Sequence, residues 1–428
     1  MSLRRWWCVL LLALAGCQPS HNPNAITLRI ATWGTGEDDS DYAKKCDAID
    51  HEFERENPGV KIVRETIPEQ YVQAMVMAHV AGASPDIMML DASSAAVFMN
   101  NGIVTDLAPI IAKDPEFRLD DYFPNVVDIA RRGSAVYAIP QDFTPMVMYY
   151  NKRLFDRAQV PYPDGSWNFE RFRQVARAVT INEGEKNERF GYAFSNWMPG
   201  WVMWLWNNGG DVLTEDGTRA AGSLNSPQNA QTFRFLRDLI EVDHVSPSPS
   251  MTAAMGVDPF VSGRAAMTIS GHWSLIDYKN APKDRNGQPK LDWRELGVTA
   301  VPHNTPLANT VMYESGYAIP TGCRHLDLAW RYVKYMTSRR VQMDYNSSGI
   351  AIDARKDVAQ ARAVDPLERA FLPLVATARA PRGSRVEGYD FVETQGASAM
   401  SSVLLNGADP LAALKTAAER IDLEFAKR

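Results

Sequence analysis

Cysteine is scarce in this chain: four in 428 residues, with Cys8 and Cys17 close to the N-terminus. The remaining two, Cys46 and Cys323, are too far apart in sequence to form a disulfide framework, and the sequence leaves open whether they pair or stay as two buried thiols. No His/Cys cluster has metal-ligand spacing, and His51-Glu52 lacks the second histidine of a zinc-binding H-E-x-x-H helix. No metal or cofactor is therefore expected. Runs of Lys and Arg are missing, and the balance is acidic, with 51 Asp and Glu against 45 Lys and Arg. Phosphate backbones are held by basic surfaces, so nucleic acid is not an expected partner. After the N-terminal leader no stretch reaches the roughly 18 apolar residues that a spanning helix needs. No G-x-x-x-x-G-K-[ST] phosphate loop and no G-x-S-x-G elbow appear, which argues against an ATPase and a serine hydrolase. Gly34-Thr35-Gly36 follows a strand-like run, but the third glycine of a dinucleotide fingerprint would fall on Asp39, whose charge repels a pyrophosphate.

What is present starts at the N-terminus. Arg4 and Arg5 precede an apolar stretch at 6–14, which is too short to span a bilayer and reads as an export signal. Leu14-Ala15-Gly16-Cys17 resembles a bacterial lipobox, which implies cleavage after residue 16 and lipidation of Cys17. Two or three acyl chains anchor stably where one is marginal. The polar residues 18–25 (QPSHNPNA) read as a tether. The chain is thus expected to be extracytoplasmic and held to a bacterial membrane, in the periplasm or at the cell surface.

Length predicts two or three domains. ITLRIATW reads as a strand, 42–57 as a helix with Ile49 and Phe53 at i, i+4 spacing, and 60–63 as a strand. A helix at 71–81 and a buried strand at 85–90 follow. This β-α-β-α-β order predicts a parallel sheet with crossover helices. Ligands of such sheets sit at the carboxyl ends of the strands, which places 33–37 and 91–94 at one rim. Residues 137–151 (YAIPQDFTPMVMYYN) are two apolar runs joined by polar residues and prolines, as in a crossing between domains or an ordinary loop. Residues 152–262 read as helix-rich and aromatic-rich, with Trp201, Met203 and Trp204 at the spacing of a core stripe. Strands are expected at 264–269 and 316–320, and helices at 326–337 and 397–426, the last broken at 407–410. The segment 343–365 has no pattern.

Several strings in order, LRIATWG, FERENPGVKI, VAGASPDIMMLDAS, VYAIPQDFTPMVMYYNKRLF, WNNGGDVLTEDGT, GRAAMTISGHW, GYAIPTGCRHLDLAWRYVKYMTS and NSSGIAIDARKDV, resemble the family 1 extracellular solute-binding proteins, the maltose-binding-protein type. The likeness spans 26–360. It implies an α/β, periplasmic-binding-protein-like fold: two α/β lobes joined by hinge crossings, with a ligand cleft between them. By this analogy lobe 1 is 26–140 plus 316–363 and lobe 2 is 141–315 plus 364–428. It also implies the capture component of an ABC importer, acting as a monomer. Its partners would be a pair of permease subunits with a cytoplasmic ATPase, and its solute a carbohydrate by preference. A polyol or a glycerol phosphate ester fits the same role. A secreted carbohydrate-active enzyme using Asp142 and Glu314 as paired carboxylates, and a surface lipoprotein without transport, are the rival classes.

Sugar C–H faces stack on aromatic rings, and sugar hydroxyls need paired donors and acceptors. The expected ligand contacts combine the two. Trp33 and Glu37 follow the first strand, in a loop that faces the cleft in related proteins. Asp91 and Ser93 follow the third strand, where capping of the next helix is the alternative role. Gln141 and Asp142 lie in the first presumed crossing, and Tyr313 and Glu314 precede the second. Trp273 matches a family position that stacks on sugar, and Trp197 is a further aromatic candidate. Arg355 and Arg385 would serve an anionic ligand and are otherwise solvated surface charges.

Overall fold

The computed structural model describes residues 25–33, 41–181, 188–349 and 351–428. Cys17 with its lipobox, and Glu37, lie outside the described residues. The N-terminal half builds the expected parallel core. β1 (Ile26–Trp33) pairs in parallel with β2 (Val60–Ile67) and β3 (Ile87–Asp91), and α1 (Asp41–Glu56) and α2 (Tyr71–Val80) form the crossovers. The pattern explains the packing. Leu28 and Ile30 of β1 are fully buried, and Cys46, Ile49 and Phe53 line the inward stripe of α1. Phe53 meets the ring of Tyr332 edge-on at 5.1 Å. Cys46 and Cys323 are not joined by a disulfide.

Two antiparallel strands and a short third extend this sheet beyond β3. Thr310–Ala318 pairs with β3 on one side and with Ile139–Pro145 on the other, and Ile352–Asp353 closes the edge. A second, three-stranded sheet has Val147–Asn151 at its centre between Met267–Ser270 and Leu296–Thr299. The chain therefore passes from the large sheet to the small one through the single residue Met146, whose N–H donates to the Val311 carbonyl at 2.9 Å. Two lobes sharing this extended passage make up the fold.

Around the small sheet the core is aromatic. Helix Phe169–Val179 is capped by the Asn168 side chain, which accepts from the Arg171 N–H. Trp201 and Trp204 of helix Met198–Trp206 are fully buried, as their spacing predicted, and Phe172 packs edge-on to Trp204 at 5.2 Å. The helices Tyr389–Asn406 and Pro410–Phe425 complete this lobe. Gly396 allows the close approach of the first of them, since a Cβ there would come within 2.6 Å of the Met198 sulfur.

Some elements differ from the sequence reading. The strand expected at 316–320 is Thr310–Ala318, because the polar pair Glu314-Ser315 masks the first half of the run. The strand expected at 264–269 is Met267–Ser270. Among its described residues the patternless segment holds the end of helix Arg339–Tyr345, the 3-10 turn Asn346–Ser348, strand Ile352–Asp353 and helix Lys356–Arg362, each too short to show a period. The C-terminal helix begins at Tyr389, eight residues earlier than read, because its N-cap is a left-handed Gly388 without a capping side chain.

Candidate functional site

Three aromatic side chains from three separate segments meet at the passage between the lobes. Tyr313 lies on the strand Thr310–Ala318. Trp197 precedes helix Met198–Trp206, and Trp273 precedes helix Ser274–Lys279. The Trp197 ring stacks on Tyr313 at 6.4 Å between centroids with a 27° interplanar angle, and meets Trp273 edge-on at 6.2 Å and 76°. Trp197 is 48% exposed, unusual for an indole with two ring neighbours. Backbone geometry sets the other two. Tyr313 sits opposite Thr144 in the antiparallel register. The Thr144 hydroxyl accepts the His272 N–H at 2.7 Å, which fixes the start of the loop that carries Trp273. Gly271 leaves room for the indole, since a Cβ there would lie 2.4 Å from the ring. The His272 ring, fully buried, is held between the Gly349 carbonyl at 3.0 Å and Glu368 at 2.8 Å.

Carboxylates gather on the strands around Tyr313. Asp91 ends β3 and lies opposite Ser315. Its Oδ1 accepts the N–H groups of Ser93 at 2.5 Å and Ser94 at 2.8 Å, so it also shapes the turn into α3 (Ala95–Asn100). Burial raises the Asp91 pKa against the pull of those donors. The Tyr313 hydroxyl is pushed well above its usual range by burial, then by Glu393, Tyr389 and Asp91. Asp142, opposite both Ser315 and Asp353, is raised to about 7, first by burial and further by the Asp353 charge, against a hydrogen bond with Ser315. Burial lifts Asp353 to about 6 despite the Asn346 amide that donates to it at 2.7 Å.

The remaining sequence candidates are placed as follows. Glu314 is 2% exposed and, as the residue after Tyr313, leaves the strand on the opposite face. Its two oxygens have no hydrogen-bond partner, and burial, with Asp91 and Asp142, raises its pKa well above the usual value. Gln141 is fully buried with both amide atoms unpartnered. It falls where the register slips, as the extra residue between Asp142 and Pro140, opposite the Ser315–Gly316 step. Trp33 lies at the carboxyl end of β1 with its ring edge-on to Tyr71 at 5.3 Å. The Ser93 carbonyl lies under Gly383, where a Cβ would approach to 2.3 Å. Arg355 is tied to Asp121 and Asp357, each at 3.0 Å, and Arg385 donates to the Asp128 carbonyl at 3.3 Å. The structure thus brings Trp197, Trp273 and Tyr313 together, with Asp91 beside them.

Glu393 and Tyr389 were not found from sequence. Both lie in the first two turns of helix Tyr389–Asn406, beyond the stretch where family strings could be read. Glu393 is raised to about 7 by burial and then by Asp91 and Asp390. The only sequence signal was an aromatic-acidic start, YDFVE, ahead of a helix.

Residues 34–343 match the family model for bacterial extracellular solute-binding proteins. The chain belongs to this family. Among curated relatives, the maltodextrin-binding protein of Bacillus subtilis is 25% identical over 285 residues, covering 65% of this chain and 64% of that protein. Among solved structures, an ABC substrate-binding protein of Listeria monocytogenes in complex with cycloalternan has a TM-score of 0.80 at 22% identity, covering 94% of this chain and 99% of the other. UgpB from Mycobacterium tuberculosis in complex with glycerophosphocholine has a TM-score of 0.75 at 17% identity, covering 93% and 98%. The structural likenesses establish the two-lobe fold of this solute-binding protein. No helix among the described residues is long and apolar enough to cross a membrane.

Proposed function

We propose that this solute-binding protein captures a carbohydrate between its lobes and delivers it to the permease pair of an ABC importer. The observation that carries the reading is the Trp197–Trp273–Tyr313 group, three rings from three segments with one of them half-exposed. Such rings offer flat apolar faces to sugar C–H groups, and Asp91 and Glu393 offer acceptors to hydroxyls. The cycloalternan complex and the maltodextrin-binding relative support a saccharide as the solute class.

Capture would follow hinge closure, with lobe 1 as 26–140 plus 316–363 and lobe 2 as 141–315 plus 364–428. Affinity then equals the intrinsic contact strength reduced by the fraction of molecules able to close. Lipidation at Cys17 would hold the protein at an extracytoplasmic membrane face, and it would act as a monomer without catalysis. Asp142 and Glu314 make a poor hydrolytic pair, since Glu314 is buried and leaves its strand away from the rings. A phosphate ester suits the site less well, because Arg355 is committed to Asp121 and Asp357.

A thermal-shift screen of the full chain in detergent, against oligosaccharides, polyols and glycerol phosphodiesters, tests the reading. A ligand at 100 times its Kd stabilises by about 2.7 kcal/mol. A saturable shift with a saccharide that is recovered unhydrolysed is the expected outcome. A shift with phosphodiesters alone would replace the carbohydrate reading, and hydrolysis of the sugar would replace the transport one.

A further inference from the structure

The aromatic group faces carboxylates without a matching set of bases. Asp91, opposite Ser315 and so on the same face of the sheet as Tyr313, and Glu393, whose charge also acts on Tyr313, make no ion pair among the described residues. The bases on the surrounding segments are engaged elsewhere. Arg362 pairs with Asp353 at 3.4 Å and Arg382 with Asp211 at 2.6 Å. Arg132 donates to the carbonyls of Arg131 and Ser384, and Arg385 to that of Asp128.

A buried carboxylate with no counter-charge is expensive, and the cost falls when a cation arrives. A neutral sugar supplies only hydroxyl donors. An ammonium supplies a charge-assisted hydrogen bond and is drawn to the electron-rich faces of the same rings. Phosphate or carboxylate ligands are repelled by the same groups. Resting on the carbohydrate reading above, we infer that the solute is a saccharide bearing a protonated amine, with the ammonium seated between the Tyr313 ring and the carboxylates of Asp91 and Glu393.

The test is calorimetric titration of the full chain with matched saccharide pairs. Each neutral oligosaccharide is compared with a counterpart of the same length and linkage that carries an amine in place of one hydroxyl. The amine-bearing member should bind about tenfold tighter or more, the scale of a cation–π contact with a charge-assisted hydrogen bond. Glu393→Gln should remove most of that preference, weakening the amine-bearing member several-fold more than its neutral counterpart. Asp91→Asn should act in the same direction. Because Asp91 also shapes a turn, Glu393→Gln decides the matter if Asp91→Asn fails to fold. Equal or tighter binding of the neutral members, or a preference untouched by Glu393→Gln, overturns the inference and leaves the carbohydrate reading standing. Binding of no saccharide, charged or neutral, overturns both.

Discussion

Trp197 lies stacked on Tyr313, with centroids 6.4 Å apart and planes 27° apart, although one precedes a helix of the aromatic lobe and the other sits on the strand shared with the parallel sheet. Rings that only fill a core close over one another, whereas this pair leaves almost half of the indole to solvent.

Replacing either indole should therefore separate binding from folding. Trp197→Ala and Trp273→Ala are each expected to weaken saccharide binding by about 1–3 kcal/mol, the cost of removing an aromatic anchor from an interface. For Trp197→Ala the melting temperature should hold within a few degrees. Titration calorimetry beside a thermal melt reads both quantities, and unchanged affinity would remove the residue from the site.

Trp201→Ala should do the reverse. Its ring is fully buried and packs edge-on to Phe233 at 5.5 Å. Loss of an aromatic core side chain costs about 3–5 kcal/mol. Urea unfolding should show that loss in ligand-free protein, and a loss below about 1 kcal/mol would contradict the packing described.

Stability should fall as pH rises through the neutral range. Burial raises Asp142 and Glu393 to about 7 and Asp353 to about 6. An acid with a raised folded pKa stabilises while protonated. Its contribution is full below the ordinary values of 3.8 and 4.5, and is lost as pH passes through 6 to 7. Asp243 behaves oppositely. Burial pulls it up, but Arg173 and Arg177 hold it below its ordinary 3.8, so it falls out of play only in acid. Melting temperatures of ligand-free protein between pH 5 and 8 should decline more steeply in the wild type than in a Glu393→Gln variant. Parallel curves would mean that Glu393 does not titrate there.

The Gly383–Ser93 contact predicts a further variant. Gly383→Ala drives a Cβ to within 2.3 Å of the Ser93 carbonyl, which forces the 382–384 turn away from the end of β3. Overpacking of this kind costs about 1–3 kcal/mol. A lowered melting point together with weaker saccharide binding is expected. Unchanged values in both would show that the turn yields freely.

Much of this was legible in the sequence, for identifiable reasons. The β-α-β-α-β core announced itself because Ile49 and Phe53, or Leu28 and Ile30, repeat at the period of their element. Trp201 and Trp204 were readable as core for the same cause. Tyr313 and Trp273 came from the family likeness, whereas their contact with Trp197 depends on register across strands, which no local pattern encodes. Glu393 was invisible for a different reason. Its helix begins without a capping residue, and its charge matters only because distant Asp91 shares its surroundings.

The helix that carries Glu393 and Tyr389 has a consequence for biogenesis. The group draws on the end of β3 and on residues some three hundred positions later, so a chain still emerging from the ribosome carries Asp91 and the three rings before it carries Glu393 and Tyr389. With this group as the proposed site, capture competence would be among the last properties the protein acquires. On the function proposed above, a sugar met before those last residues emerge would find an incomplete grip.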